Sequence, residues 1–272
     1  MTLEMQLVGN AMQMAVATLA PGQTVYCEAG KFLFSSGDVV METKLSAPSA
    51  PGQDAAPAGG LGGLMKGALD VGKRMLAGES FAYQHFSTRG GDGLVAFAGV
   101  LPGEMRILEL DGRTTWFAEK DAFVAAESGV RSDVVFSGVR QGFAGGEGFV
   151  LQKLSGSGTL LIAGAGNFVE IDPADYGGTL KVDTGCIVAF QSTVSYGIER
   201  VGRLNRQGAM TALFGGEGLS LATLSGSGKV ILQSMTVEGL ASALAKFARR
   251  GDGDNGTTGL GSIGGLLGGR GG

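Results

Sequence analysis

Apolar residues alternate with smaller or polar ones along most of this chain, which is the period of a half-buried β-strand. Between Gln6 and Thr18 the residues Val8, Met12, Met14 and Val16 stand in that relation, predicting one or two strands with Gly9-Asn10 at the turn. Pro21-Gly22 predicts the next turn, and Thr24-Val25-Tyr26-Cys27 with Phe32-Leu33-Phe34 predict a hairpin across Ala29-Gly30, which Val39, Val40 and Met41 continue. Strand signals resume at Phe81 and run through Leu94-Val95-Ala96-Phe97. Pro102-Gly103 repeats the earlier turn, and Met105, Ile107, Leu108 and Leu110 lead to another at Asp111-Gly112. Trp116-Phe117, Phe123-Val124-Ala125 and Val134-Val135-Phe136 follow, and Ser234 to Val237 finish the sheets.

Two stretches leave the period of two. Ser46 to Gly60 is rich in Ala, Pro and Gly and reads as a linker. Leu61, Leu64, Met65, Ala68, Leu69, Gly72, Met75 and Leu76 then recur at helical spacing, with Lys66, Asp70, Lys73 and Arg74 on other faces. This amphipathic helix is expected to cover an edge or end of the sheets. Its apolar residues Leu61, Leu64, Met65, Leu69, Met75 and Leu76 are also the candidate face for a partner or a membrane surface. Near the end, Leu240, Ala243, Leu244 and Phe247 predict a short helix closing at Arg249-Arg250. From Gly251 the tail is half glycine and reads as flexible.

One stretch occurs twice. Ten of the twenty positions from Phe143 to Ile162 are identical to their partners at Leu213 to Leu232. The shared string runs from Gly145-Gly146-Glu147-Gly148 to Ser155-Gly156-Ser157-Gly158, and from Gly215-Gly216-Glu217-Gly218 to Ser225-Gly226-Ser227-Gly228. A fainter copy begins at Gly78-Glu79-Ser80-Phe81, where Tyr83 and Phe86 stand in the places of Leu151 and Leu154. A turn residue followed by an apolar strand recurs in the same order, at Gly30 to Phe34, Asp121 to Ala125 and Gly185 to Ala189. The expectation is a single all-β domain, 1–250, of three repeated units (6–100, 101–171 and 172–237), with the linker and helix inserted at 45–77 and a tail at 251–272.

Composition narrows the function classes. With 272 residues a substantial core is available, and 51 glycines interleaved with Val, Leu, Ile and Phe mean many tight turns. A formal charge of −4 generates no field that would draw nucleic acid, so no nucleic-acid partner is expected. Only Arg200, Arg203 and Arg206 could form a local phosphate-facing patch, and solvated loop charges explain them equally well. The two cysteines, Cys27 and Cys186, lie in apolar runs and read as buried and reduced. Met1 to Leu7 has Glu4 and no basic region, and no run approaches the roughly 18 apolar residues of a membrane span, so a cytoplasmic location is expected.

Catalytic constellations are missing from the pattern. The single histidine, His85, excludes a multi-histidine metal site and reads as structural. No serine sits in a Gly-x-Ser-x-Gly elbow followed by a helix. The Gly156-Ser157-Gly158 and Gly226-Ser227-Gly228 strings read as hairpin turns, lacking the lysine and helix of a phosphate loop. Glu147 and Glu217 would bind a cation or act in hydrolysis only if the repeats brought them together. A carboxylate after two glycines can instead accept the free N–H groups of a tight bend. That structural role is preferred, because a repeated residue is first explained by a repeated fold. Gly145, Gly146, Gly156, Gly158, Gly215, Gly216, Gly226 and Gly228 are assigned to the same bends. No cofactor is expected, and the chain is not expected to be an enzyme.

A family resemblance rests on motifs in order. Leu19-Ala20-Pro21-Gly22 through Glu28-Ala29-Gly30, the glycine-rich helix from Gly62 to Phe81, Pro102-Gly103, and the two Gly-Glu-Gly segments each followed by Gly-x-Gly resemble the altered-inheritance-of-mitochondria protein twenty-four family, over about Gln6 to Met235. The family includes many bacterial members of unknown function. Ser157 and Ser227 stand where it often has proline. The resemblance implies a β-rich fold similar to the tryptophan RNA-binding attenuation protein, double-stranded β-helix-like or sandwich-like, with pseudo-threefold repetition. It implies no catalytic residues. The mitochondrial member's link to inner-membrane organisation implies an assembly role. The expected function is therefore an oligomerising, non-enzymatic scaffold or interaction protein, homo-oligomeric, with a membrane surface or protein as further partner. An RNA- or small-ligand-binding module is the alternative.

Overall fold

A computed structural model describes residues 3–44, 47, 82–136, 150–200 and 220–251. The chain divides into two compact units, Met1–Thr236 and Val237–Gly272. The first unit is an all-β, sandwich-like assembly of antiparallel strands. They are β1 (Glu4–Val8), β2 (Met14–Leu19), β3 (Thr24–Glu28), β4 (Phe32–Lys44), β5 (Tyr83–Ala98), β6 (Met105–Asp111), β7 (Trp116–Glu119) and β8 (Phe123–Glu127). There follow β9 (Val130–Phe136), β10 (Val150–Ala163), β11 (Phe168–Ile171), β12 (Thr179–Asp183), β13 (Ile187–Gln191), β14 (Val194–Arg200), β15 (Ser220–Gly226) and β16 (Val230–Gln233). Ser234 to Thr236 lie outside the strands, contrary to the sequence pattern. The second unit contributes α1 (Val237–Gly251).

Three strand pairings follow one register. Glu28, Glu119 and Asp183 stand opposite Tyr83, Leu151 and Leu221, and three residues earlier Val25, Trp116 and Leu180 stand opposite Phe86, Leu154 and Leu224. Each pairing joins a short strand to the first half of β5 or of β10, or to β15. Each short strand then ends in a tight turn. At Glu28–Lys31 the Lys31 N–H donates to the Glu28 carbonyl at 3.2 Å, and at the other two sites a single 3-10 turn is capped by Glu119 or Asp183, which accept from the Asp121 and Gly185 N–H groups. These turns redirect the chain instead of reversing it. Consequently β3 pairs with β5 and β8 and not with β4, so the hairpin expected across Ala29-Gly30 does not form.

Alternation along the strands sends every second side chain inward, and three apolar clusters result. One gathers Tyr26, Trp116, Phe123, Leu154, Leu160 and Ile162. A second lies under β1, β2 and β5 and includes Ala15, Ala17, Leu19, Phe86, Val95 and Phe97. The third holds Leu151, Ile187, Phe190, Leu224 and Val230. Burying a side chain of this size stabilises by about 1.5–3 kcal/mol, so the clusters supply the main favourable term of the fold.

Candidate functional site

The repeated Gly-Ser-Gly strings are corners, not hairpin turns. Gly156-Ser157-Gly158 lies inside β10, where the strand bends from partners β7 and β9 to partners β6 and β8. Gly226-Ser227-Gly228 carries the chain from β15, paired with β12 and β14, to β16, paired with β11 and β13. A strand that changes sheets must bend sharply, and Gly156 does so at φ +113°, with the Gly129 carbonyl oxygen 2.2 Å from where a Cβ would stand. Side-chain oxygens clamp both corners at matching places. Glu127 accepts from the Thr159 N–H at 3.1 Å, and Gln191 accepts from the Lys229 N–H at 2.9 Å. Asp172 adds a second clamp, accepting from the N–H groups of Ala174 and Gly228, which hold its carboxyl below the ordinary carboxylate range. Sequence reading missed these clamps, since neither Glu127 nor Gln191 belongs to the repeated string. Gly145, Gly146, Glu147, Gly215, Gly216 and Glu217 lie outside the described residues, as do Leu61, Leu64, Met65, Leu69, Met75 and Leu76.

Buried polar side chains gather at a joint between β3, β10 and the turn after β7. The Gln152 amide donates to Glu28 at 2.5 Å, and the Lys31 ammonium donates to the Asp121 carbonyl at 3.1 Å. Gln152 is fully buried, and among the described residues its carbonyl oxygen has no hydrogen-bond partner. His85 is buried with its ring stacked on Tyr26 at 5.6 Å. Burial pushes the Cys27 thiol up to about 12, with Glu28 adding to the effect, so the thiolate that would act as a nucleophile does not form near neutral pH. Among the described residues no three of His, Cys, Asp and Glu come together as a metal set. This joint fastens turns together.

A different surface departs from the usual pattern of a sheet facing water. On β1, β2, β5 and β4 the residues one step out of phase with the core cluster line up in cross-strand rows, exposed or half-buried at every position but Ala96, which is buried. The first row is Val8, Met14 and Ala98; the second is Gln6, Val16, Ala96 and Phe34; the third is Glu4, Thr18, Leu94 and Ser36. Phe34 is 43% exposed and Leu94 39%, and beyond the first row Met12 reaches 72% and Val100 73%. A sheet that faces water on one side ordinarily puts polar residues there. Here both faces are apolar, and the outer one has a single charge, Glu4, in its three rows. The signal was present in the sequence as Phe32-Leu33-Phe34 and Leu94-Val95-Ala96-Phe97, unbroken apolar runs that fill both faces of a strand.

Apart from Glu4, the strands that build this face lie inside the region of residues 5–235 that matches the family model described as mitochondrial biogenesis AIM24. The chain belongs to the AIM24 family. Among solved structures, this AIM24 chain is similar to the X-ray crystal structure of protein SPYM3_0169 from Streptococcus pyogenes, at 26% identity and a TM-score of 0.67, covering 90% of this chain and 99% of that one. No curated protein matches by sequence. The family match stops short of α1, so the terminal helix of this AIM24 chain lies beyond the shared region. No helix among the described residues is long and apolar enough to cross a membrane.

Proposed function

We propose that this AIM24 chain is a non-enzymatic, self-associating scaffold protein, built as three copies of one strand unit, that docks a second copy through the outer face of β1, β2, β5 and β4. One observation carries the reading: three consecutive cross-strand rows with apolar side chains at most positions and one charge. An exposed apolar patch of this kind marks an interaction surface. A second copy fits it because the face is apolar where a like face would meet it, and closed twofold assemblies use one patch on both subunits. The family description names a biogenesis process and no reaction, which agrees with a scaffold.

Light scattering coupled to gel filtration tests this. The intact chain runs as an oligomer, and the double variant Phe34→Glu/Leu94→Lys runs as a monomer with an unchanged β-sheet circular dichroism spectrum. A monomeric parent, or an oligomer that the double variant leaves intact, would overturn the proposal.

A further inference from the structure

The geometry points to helix α1 as an anchor that lies flat on an anionic lipid surface. It spans 15 residues, Val237–Gly251. At 1.5 Å rise per residue that is about 22 Å, short of the roughly 30 Å hydrocarbon core, so the helix cannot cross a bilayer. Its periodicity suits lying on one. Val237, Leu240, Leu244 and Phe247 recur at spacings of three and four and fall on one face, with Ala241 and Ala248 at its margin. Glu238, Ser242, Lys246 and Arg249 fall on the opposite face, and Arg250 at its flank. Val237 is 47% exposed and Leu244 60%, and Leu240 between them is half-buried. An apolar stripe opposite a polar face with three cations against one acid is the arrangement that seats at the headgroup boundary, where the stripe enters the acyl region and the cations meet lipid phosphates. The inference does not depend on self-association through the sheet.

Co-sedimentation of the full chain with vesicles tests it, using phosphatidylcholine alone and phosphatidylcholine with about one third phosphatidylglycerol. Expected is binding to the anionic vesicles, weakened by salt, and little binding to the neutral ones. Lys246→Gln/Arg249→Gln/Arg250→Gln loses on the order of a hundredfold in affinity for the anionic vesicles, each surface cation contributing roughly fivefold. Leu244→Glu loses binding as well, and both variants keep the parent's mass in solution and its unfolding transition. Failure of the full chain to sediment with anionic vesicles would overturn the assignment, as would a triple variant that binds like the parent. So would a Leu244→Glu chain that changes mass yet still sediments, because the stripe would then join protein to protein.

Discussion

The two faces of the sheet β1–β2–β5–β4 carry similar side chains and do opposite things. Inward, Ala15, Ala17, Leu19, Val95 and Phe97 are buried in one cluster. Outward, Met14, Val16, Leu94 and Phe34 share the same strands one residue out of phase and meet solvent to varying degrees. Hydrophobicity alone therefore does not say which residues hold the fold. Position relative to the pleat does, and the same kind of side chain is buried in the core on one face and meets solvent on the other.

The sharpest way to break that contrast is Phe97→Ala. Phe97 is fully buried and meets Phe86 edge-on at 5.9 Å, so truncation leaves a cavity and costs about 3–5 kcal/mol in urea unfolding. A loss below about 1 kcal/mol, the range of an ordinary surface site, would mean the two faces do not differ as described.

Cys27 sharpens the comparison from the inner side. Its thiol rises from an ordinary 9.0 to about 12 on folding, so the native state favours the neutral form. A folded value above the unfolded one gives stability that is complete below 9.0 and lost as pH climbs toward about 12, at roughly 1.4 kcal/mol per unit for one group. Tyr26, whose phenol burial pushes well above its usual value, acts in the same direction. Unfolding followed across that range should show the loss, and Cys27→Ser should reduce its slope. Near neutral pH a maleimide should label Cys27 only after denaturation.

Much of the fold was legible because strand alternation and turn residues are local. Pro21-Gly22 and Asp111-Gly112 turn where the pattern puts them, with Gly22 and Gly112 at positive φ. What the chain does after each turn was not legible. The bend at Gly156 looks like a hairpin in sequence, because glycine supplies the same φ > 0 to a reversal and to a corner. Only long-range partners such as Gly129 and Glu127 decide between them. The candidate face was only half legible for a related reason: the apolar runs at Phe32–Phe34 and Leu94–Phe97 fill both faces of a strand without showing which face is left uncovered. Phe34 and Leu94 read as core by composition, and their orientation follows from pairing with Ala96 and Ser36, which spacing along one strand does not reveal. Conversely, helix α1 followed directly from the local period of Leu240, Ala243, Leu244 and Phe247.

On the outer side the expected changes in monomer stability are small. Phe34→Glu on the exposed strand β4 should shift the unfolding free energy of the dissociated chain by less than about 1 kcal/mol, even as the assembly weakens. An effect comparable to Phe97→Ala would show that Phe34 is part of the core after all.

Gln6→Leu probes the same face in the opposite direction. Gln6 pairs with Val16 in the row that continues through Ala96 to Phe34, and it is the polar member of that row. Its side chain is exposed, so substitution leaves the monomer's stability within about 0.5 kcal/mol. If the row meets a second copy, a leucine there adds apolar area removed from water only in the assembly, and dissociation shifts to lower concentration by about tenfold or more for a side chain half-buried on docking. If the row meets only water, Gln6→Leu leaves the dissociation curve where it was. Because the change acts on association while sparing the fold, light scattering over a dilution series isolates the property that separates the outer face from the inner one.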